Sequence, residues 1–205
     1  MHSLTLFSRE LEINDYVILK IPTVGEVLEA EEDYSLLLTV FLSSPADQVR
    51  LITRLGGDPS SITDWELFMA LFPFAMKSDL SLLFASPDFS GFSPAVNLNN
   101  GLVVLRSPAG QVFDVSLYYE TVSGLEKIYG VKKSGKRPAN RAAADFMIMR
   151  MSAKAARGKR QELSPLNREI LSLYRIPGFP YRLEEVRDLT IYQLVCIAKS
   201  MRGNI

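Results

Sequence analysis

Hydrophobic positions recur along this chain with two different periods, and the changes of period mark its elements. Leu4–Phe7 and Tyr16–Ile21 are rich in β-branched and aromatic residues and predict two short strands, with Glu12-Ile13-Asn14-Asp15 as the turn. Pro22 ends the second strand, since it has no N–H to give to a ladder. The helical period then takes over. Thr23, with Glu26 three residues on, reads as a capping box for a turn bearing Val24, Val27 and Leu28. Asp33 reads as the cap of a helix Tyr34–Leu42, in which Leu37, Val40 and Phe41 share a face and Ser43-Ser44-Pro45 is the stop. Ala46–Leu55 continues with Val49, Ile52 and Leu55 inward, closed by Gly56-Gly57. Thr63-Asp64-Trp65-Glu66 is a second capping box, and its helix carries Leu67, Phe68, Leu71 and Phe72. Ser78 or Asp79 opens a short helix through Leu80, Leu83 and Phe84.

From Ser86 to Gly110 prolines, glycines and asparagines break the pattern, leaving a loop region with one strand, Leu102–Leu105. Gln111–Val115 is its hairpin partner across Ser107-Pro108-Ala109-Gly110. Val115–Tyr129 reads as a helix despite Gly124. Residues 130–139 hold two glycines, one proline and four bases, which predicts a linker or hinge. A helix follows from about Asn140 to the Lys154 region. Ser164 and Pro165 start another that runs to about Tyr174. Ile176 to Tyr181 is a non-helical corner, and Thr190-Ile191-Tyr192-Gln193 caps a last helix bearing Leu194, Ile197 and Met201. The predicted class is α+β, predominantly helical, with small N-terminal and central antiparallel β-ribbons. The predicted organisation is an α+β domain over 1–130, then a basic hinge and helical C-terminal part over 131–205.

Composition narrows the chemistry. With 47% hydrophobic residues in 205, a packed core is expected. The lone Cys196, between Val195 and Ile197, suits a small buried side chain and forms no intrachain disulfide. The lone histidine is His2, so Ser-His-Asp triads, Cys-His dyads and multi-histidine metal sites are excluded. Carboxylate and Mg²⁺ chemistry is not excluded by that count. The acidic run Glu29-Ala30-Glu31-Glu32-Asp33 lacks the staggered spacing and turn glycine of a calcium loop and reads as a solvated face. Ser134-Gly135-Lys136 is not a phosphate loop, because the rest of that signature and its preceding strand are missing. No catalytic, cofactor-binding or metal-binding residue is assigned, and no enzyme is expected. The N-terminus has no basic, apolar signal pattern. The longest apolar run, Leu67–Met76, is too short for a membrane and is broken by Pro73. A cytoplasmic protein with no membrane partner is expected.

Formal charge is zero overall but lopsided. Residues 1–48 hold nine acids against Arg9 and Lys20, whereas 131–160 hold ten bases against Asp145 alone. That asymmetry points to an acidic or polyanionic partner, or to pairing of the two halves within or between chains. The candidate partner-binding residues are Lys132, Lys133, Arg141, Arg150, Lys154 and Arg157. Arg150, Lys154 and Arg157 form a positive stripe at i, i+4 and i+7, beside an apolar strip of Phe146, Met149, Ala153 and Ala156. Such a helix can lie on a phosphate backbone, pack on an acidic helix of a partner, or be a solvated face. No aromatic platform is interleaved with the bases, which argues against single-stranded nucleic acid. Met147, Met149 and Met151 add soft surface of the kind that grips varied apolar helices.

Several segments also carry a resemblance. Ile21-Pro22-Thr23-Val24-Gly25-Glu26-Val27 is followed by Tyr34-Ser35-Leu36, Ser44-Pro45-Ala46-Asp47, Trp65-Glu66-Leu67-Phe68, Leu83-Phe84, Asp88-Phe89-Ser90 and, late, Leu189-Thr190-Ile191-Tyr192-Gln193-Leu194. In that order they resemble small proteins of the tail-morphogenesis region of tailed phages and prophages of Gram-positive bacteria. The resemblance implies a tail assembly chaperone that coats the apolar helices of a tape-measure protein, or another tail protein, in the host cytoplasm. A structural tail or baseplate component stands as an alternative, and self-association of the chain suits both. It has no counterpart between Lys132 and Gln161, so a nucleic-acid-binding module using 132–160 stands as an alternative. The family pattern extends past Gly203-Asn204-Ile205, compatible with the two product lengths that ribosomal frameshifting gives among tail chaperones.

Overall fold

A computed structural model describes residues 4–97, 101–156 (backbone only at 153–156) and 163–203. Among the described residues helix predominates and the strands form two small antiparallel sheets, so the fold is α+β and predominantly helical.

The N-terminal ribbon is displaced from where strand propensity puts it. Strands β1 (Glu10–Glu12) and β2 (Ile18–Lys20) pair with Glu10 opposite Lys20 and Leu11 opposite Leu19. Leu4–Phe7 lies outside the sheet, where the Ser8 N–H donates to the Thr5 carbonyl. Turn chemistry sets this register. The Asn14 side chain accepts from the N–H groups of Tyr16 and Val17 and closes the loop one step later than expected. Strand β3 (Phe84–Ser86) adds to the free edge of β2, giving the order β1-β2-β3. The second sheet has the order β4 (Ser93–Val96), β5 (Val103–Arg106), β6 (Val112–Phe113). Its first strand escapes the sequence pattern because Pro94 argues against a strand, yet β4 is an edge, where a missing N–H is tolerated.

Helices begin where capping side chains stand. Thr23 and Glu26 close a capping box on α1 (Val24–Glu29), and Thr63 and Glu66 do so on α4 (Asp64–Ala75). Asp114 caps α5 (Val115–Tyr129), Asn140 opens α6 (Arg141–Ala156) and Ser164 caps α7 (Pro165–Tyr174). The Thr190–Gln193 box starts α9 (Ile191–Met201). Asp33 is not a cap: α2 (Glu31–Leu42) starts earlier, from Ala30, and holds Glu31, Glu32 and Asp33 in its first turn, where they suit the positive helix end. Helix α3 (Val49–Arg54) is shorter than expected and Leu55 is exposed. Pro73 does not break α4, because it falls in the last turn, where few bonds are lost. A short helix α8 (Leu183–Asp188) follows the predicted corner.

Phe41, Phe68, Phe84, Phe89, Phe113 and Tyr118 are buried and interlock around Phe68, whose ring centroid lies 4.8 Å from that of Tyr118 and 5.1 Å from that of Phe41. Helix α5 lies on the first sheet at Gly124, where an added Cβ would come within 2.7 Å of Leu19 Cδ1 and 2.8 Å of Ile13 Cδ1. The C-terminal helices join the same core. Ile170, Leu173, Val186, Ile191, Leu194 and Ala198 belong to one buried cluster with Leu11, Val24 and Ile128. The Ile191 N–H donates to the Pro22 carbonyl and the Val24 N–H to the Leu189 carbonyl, each at 2.8 Å. The boundary at residue 130 therefore does not separate two cores.

Candidate functional site

The basic segment leaves α5 through Gly130, which is left-handed at φ 63°. Lys133 then turns inward, with its side chain only 7% exposed. Its N–H donates to Glu126 at 2.6 Å, and its ammonium donates to the Tyr118 hydroxyl. The same ammonium sits 3.5 Å from an Asp64 carboxylate oxygen and 5.0 Å from the Tyr118 ring centroid. Burial holds the Lys133 amine below its usual range, opposed by Asp64 and then Glu126 and Asp47. Lys133 is therefore an internal anchor, a correction to its place among the surface candidates: the Tyr118 hydroxyl, the Tyr118 ring and Asp64 offer the buried ammonium partners that a surface contact would have to replace.

The other candidates are dispersed. Lys132, Arg141 and Arg150 are exposed. Arg141 acts on the exposed Asp58, and Arg137 acts on Glu66. Of the basic segment, Lys133 thus meets Asp64 directly, while Arg141 and Arg137 are minor influences on Asp58 and Glu66 after their hydrogen bonds from Ser60 and Thr63, and none of these three acids belongs to the acidic residues 1–48. Arg50 of α3 donates to the Ile148 carbonyl at 3.4 Å and to the Ser152 hydroxyl, which fastens α6 to α3. Of the expected stripe, Arg150 is seen on the surface, whereas the Lys154 side chain and Arg157 lie outside the described residues. The apolar strip is not folded inward: Phe146 is 63% and Met149 64% exposed.

A further feature is one that spacing did not reveal. A cleft of about 770 Å³ opens between α2, the end of α5, α7 and α9. One wall is α2, with Ser35, Leu38, Thr39 and Leu42 at i, i+3, i+4 and i+7. The facing wall is α9, with Ile191, Leu194, Val195 and Ala198 at the same spacing. Val131 and Leu166 complete the apolar lining. Gly130 permits the close approach here, since a Cβ at this position would lie 2.4 Å from Val195 Cγ1. Four charged residues also line it: Arg202 pairs with Glu169 at 2.9 Å and donates to Ser172 at 2.7 Å, while Asp47 and Lys199 are exposed. Tyr129 lines the cleft, and its hydroxyl is buried without a hydrogen-bond partner among the described residues. Burial, and then Tyr34, push that hydroxyl well above its ordinary value. An apolar slot walled by two helices matches the shape and chemistry of an apolar helix. The sequence pattern picks out Leu37, Val40 and Phe41 on this helix and assigns no role to Leu38 or Leu42, because a groove wall and a core face share the same 3.6-residue period.

Among the described residues, no three or more His, Cys, Asp and Glu are grouped to hold a metal ion. Among them, too, no helix is long and apolar enough to cross a membrane. No family model matches the chain, and no curated protein and no solved structure is found similar to it.

Proposed function

We propose that this chain is a non-enzymatic binding protein of phage tail assembly, a cytoplasmic chaperone that holds an apolar helix of a tape-measure protein, or of another tail protein, in the cleft between α2 and α9. The cleft is the observation that carries the proposal. Its α9 wall is an apolar stripe, and Leu38 and Leu42 face it from α2 beside Ser35 and Thr39, as in grooves that take an amphipathic helix by its apolar face. The order of motifs from Ile21 to Leu194 supplies the tail-assembly context.

A fluorescently labelled apolar helical peptide from a tape-measure protein, titrated with the full chain, tests the proposal. Leu38→Glu places a charge on the α2 wall, and its expected effect is to weaken binding by about tenfold or more, as loss of a central apolar anchor does. Phe146→Ser, on a helix that does not line the cleft, leaves that affinity unchanged. Absence of binding, or equal weakening by both substitutions, overturns the assignment.

A further inference from the structure

Helix α6 carries a second apolar surface, and nothing among the described residues covers it. Its inward side is set by Ala144, fully buried, with Met147 and Ile148 half-buried beside it. On a helix of 3.6 residues per turn, Ala142, Phe146 and Met149 fall on the opposite side. All three are exposed. Their spacing of four and then three residues makes a short apolar seam. A seam of this period is the pattern along which one helix packs against another.

The charges beside the seam select the partner. With Phe146 and Met149 as a and d, Asp145 stands at g and Arg150 at the following e. In a parallel pair of identical helices, each g residue faces the e residue about five positions further along the partner. Asp145 of each copy therefore meets Arg150 of the other, and the contact occurs twice. An antiparallel pair would set e against e and g against g, which gives Asp145 no Arg150 partner. Both side chains are exposed, and neither makes an ion pair or hydrogen bond among the described residues.

We propose that α6 is a self-association helix: two copies of this chain pair in parallel along Ala142, Phe146 and Met149, with reciprocal Asp145–Arg150 contacts. The seam is short, so the pairing is concentration-dependent. It is independent of the α2–α9 cleft and of what that cleft binds.

Sedimentation equilibrium of the full chain over a concentration series tests this. The expected average mass rises from 23.0 kDa toward twice that value. Asp145→Arg or Arg150→Asp alone creates two like-charge contacts per dimer and weakens association by about tenfold, whereas the double variant exchanges the two charges and returns it to near the original strength. Phe146→Ser weakens association by at least the same factor. All these positions are exposed, and circular dichroism checks that each variant stays folded. A monomer at every concentration overturns the proposal, as does a double variant no stronger than the single ones, or association indifferent to Phe146→Ser.

Discussion

At the scale of single residues, the strongest local devices act through charge and backbone shape. Glu66 accepts from the Thr63 N–H at 2.7 Å and from the Thr63 hydroxyl at 2.8 Å, which lowers its carboxyl from the ordinary 4.5. A carboxylate held below its unfolded value contributes stability above that value and loses it as pH falls through the folded one. Wild-type protein is therefore expected to lose urea resistance on acidification below 4.5. Glu66→Gln keeps the acceptor for the Thr63 N–H, and its expected urea midpoint falls less steeply over the same window. The group is well solvated, so the difference is small. Lys133 makes a sharper case. Lys133→Ala leaves a void beneath Tyr118 and is expected to cost about 2 kcal/mol, whereas Lys133→Met refills it without a buried charge and stays within about 1 kcal/mol of wild type. Equal losses in urea denaturation would show that the ion pair, not the packing, holds the segment. Gly130 is constrained twice, by φ 63° and by Val195 at 2.4 Å from a would-be Cβ. Gly130→Ala is expected to lower stability by about 2 kcal/mol and to loosen the wall of the cleft.

At the scale of elements, what the sequence reveals depends on whether one side chain decides the outcome. The boxes at Thr23, Thr63 and Thr190 and the cap at Ser164 are local, and the helices start beside them as predicted. Two chain segments misled for a tertiary reason. Leu4–Phe7 has strand propensity but no partner, because Asn14 fixes a register that pairs Glu10–Glu12 with β2. Strand β4 contains a proline but has an edge to occupy. The site was less legible than the fold. Spacing identified α6 as carrying bases beside an apolar strip, and that strip is exposed. It gave no hint that Lys133 turns inward, since the cue is the Tyr118 hydroxyl fifteen residues earlier in the chain. The cleft was hidden because Leu38 and Val195 belong to helices that meet only in three dimensions. Helix α9 gives a test at this scale. The Thr190 hydroxyl accepts from the Gln193 N–H at 3.1 Å and is buried with its residue. Thr190→Ala is expected to cost about 1–2 kcal/mol and to speed hydrogen exchange in the first turn of α9.

At the scale of the whole molecule, the question is whether residues 1–130 can stand alone, as the glycine-rich basic segment suggested. The C-terminal helices contribute Ile170, Leu173, Val186, Ile191 and Leu194 to the shared core, all nearly fully buried. Burying one such side chain is worth about 1.5–3 kcal/mol, so the five supply roughly 8–15 kcal/mol before entropy is counted. That is as large as the entire net stability of an ordinary domain, about 5–15 kcal/mol. Removing them also exposes the Val24 and Ile128 surfaces on which they pack, and it leaves the Val24 N–H and the Pro22 carbonyl without their partners at Leu189 and Ile191. The 1–130 fragment is therefore expected to show no cooperative urea transition and no fixed near-ultraviolet dichroism from Trp65. The full chain is expected to unfold in one step. Because one wall of the cleft is α2 and the other α9, the same fragment cannot present both stripes to a helix. A folded fragment that still binds the tape-measure peptide would place the binding surface elsewhere in the first 130 residues. Loss of folding and binding together is what a core and a cleft that share the same helices require.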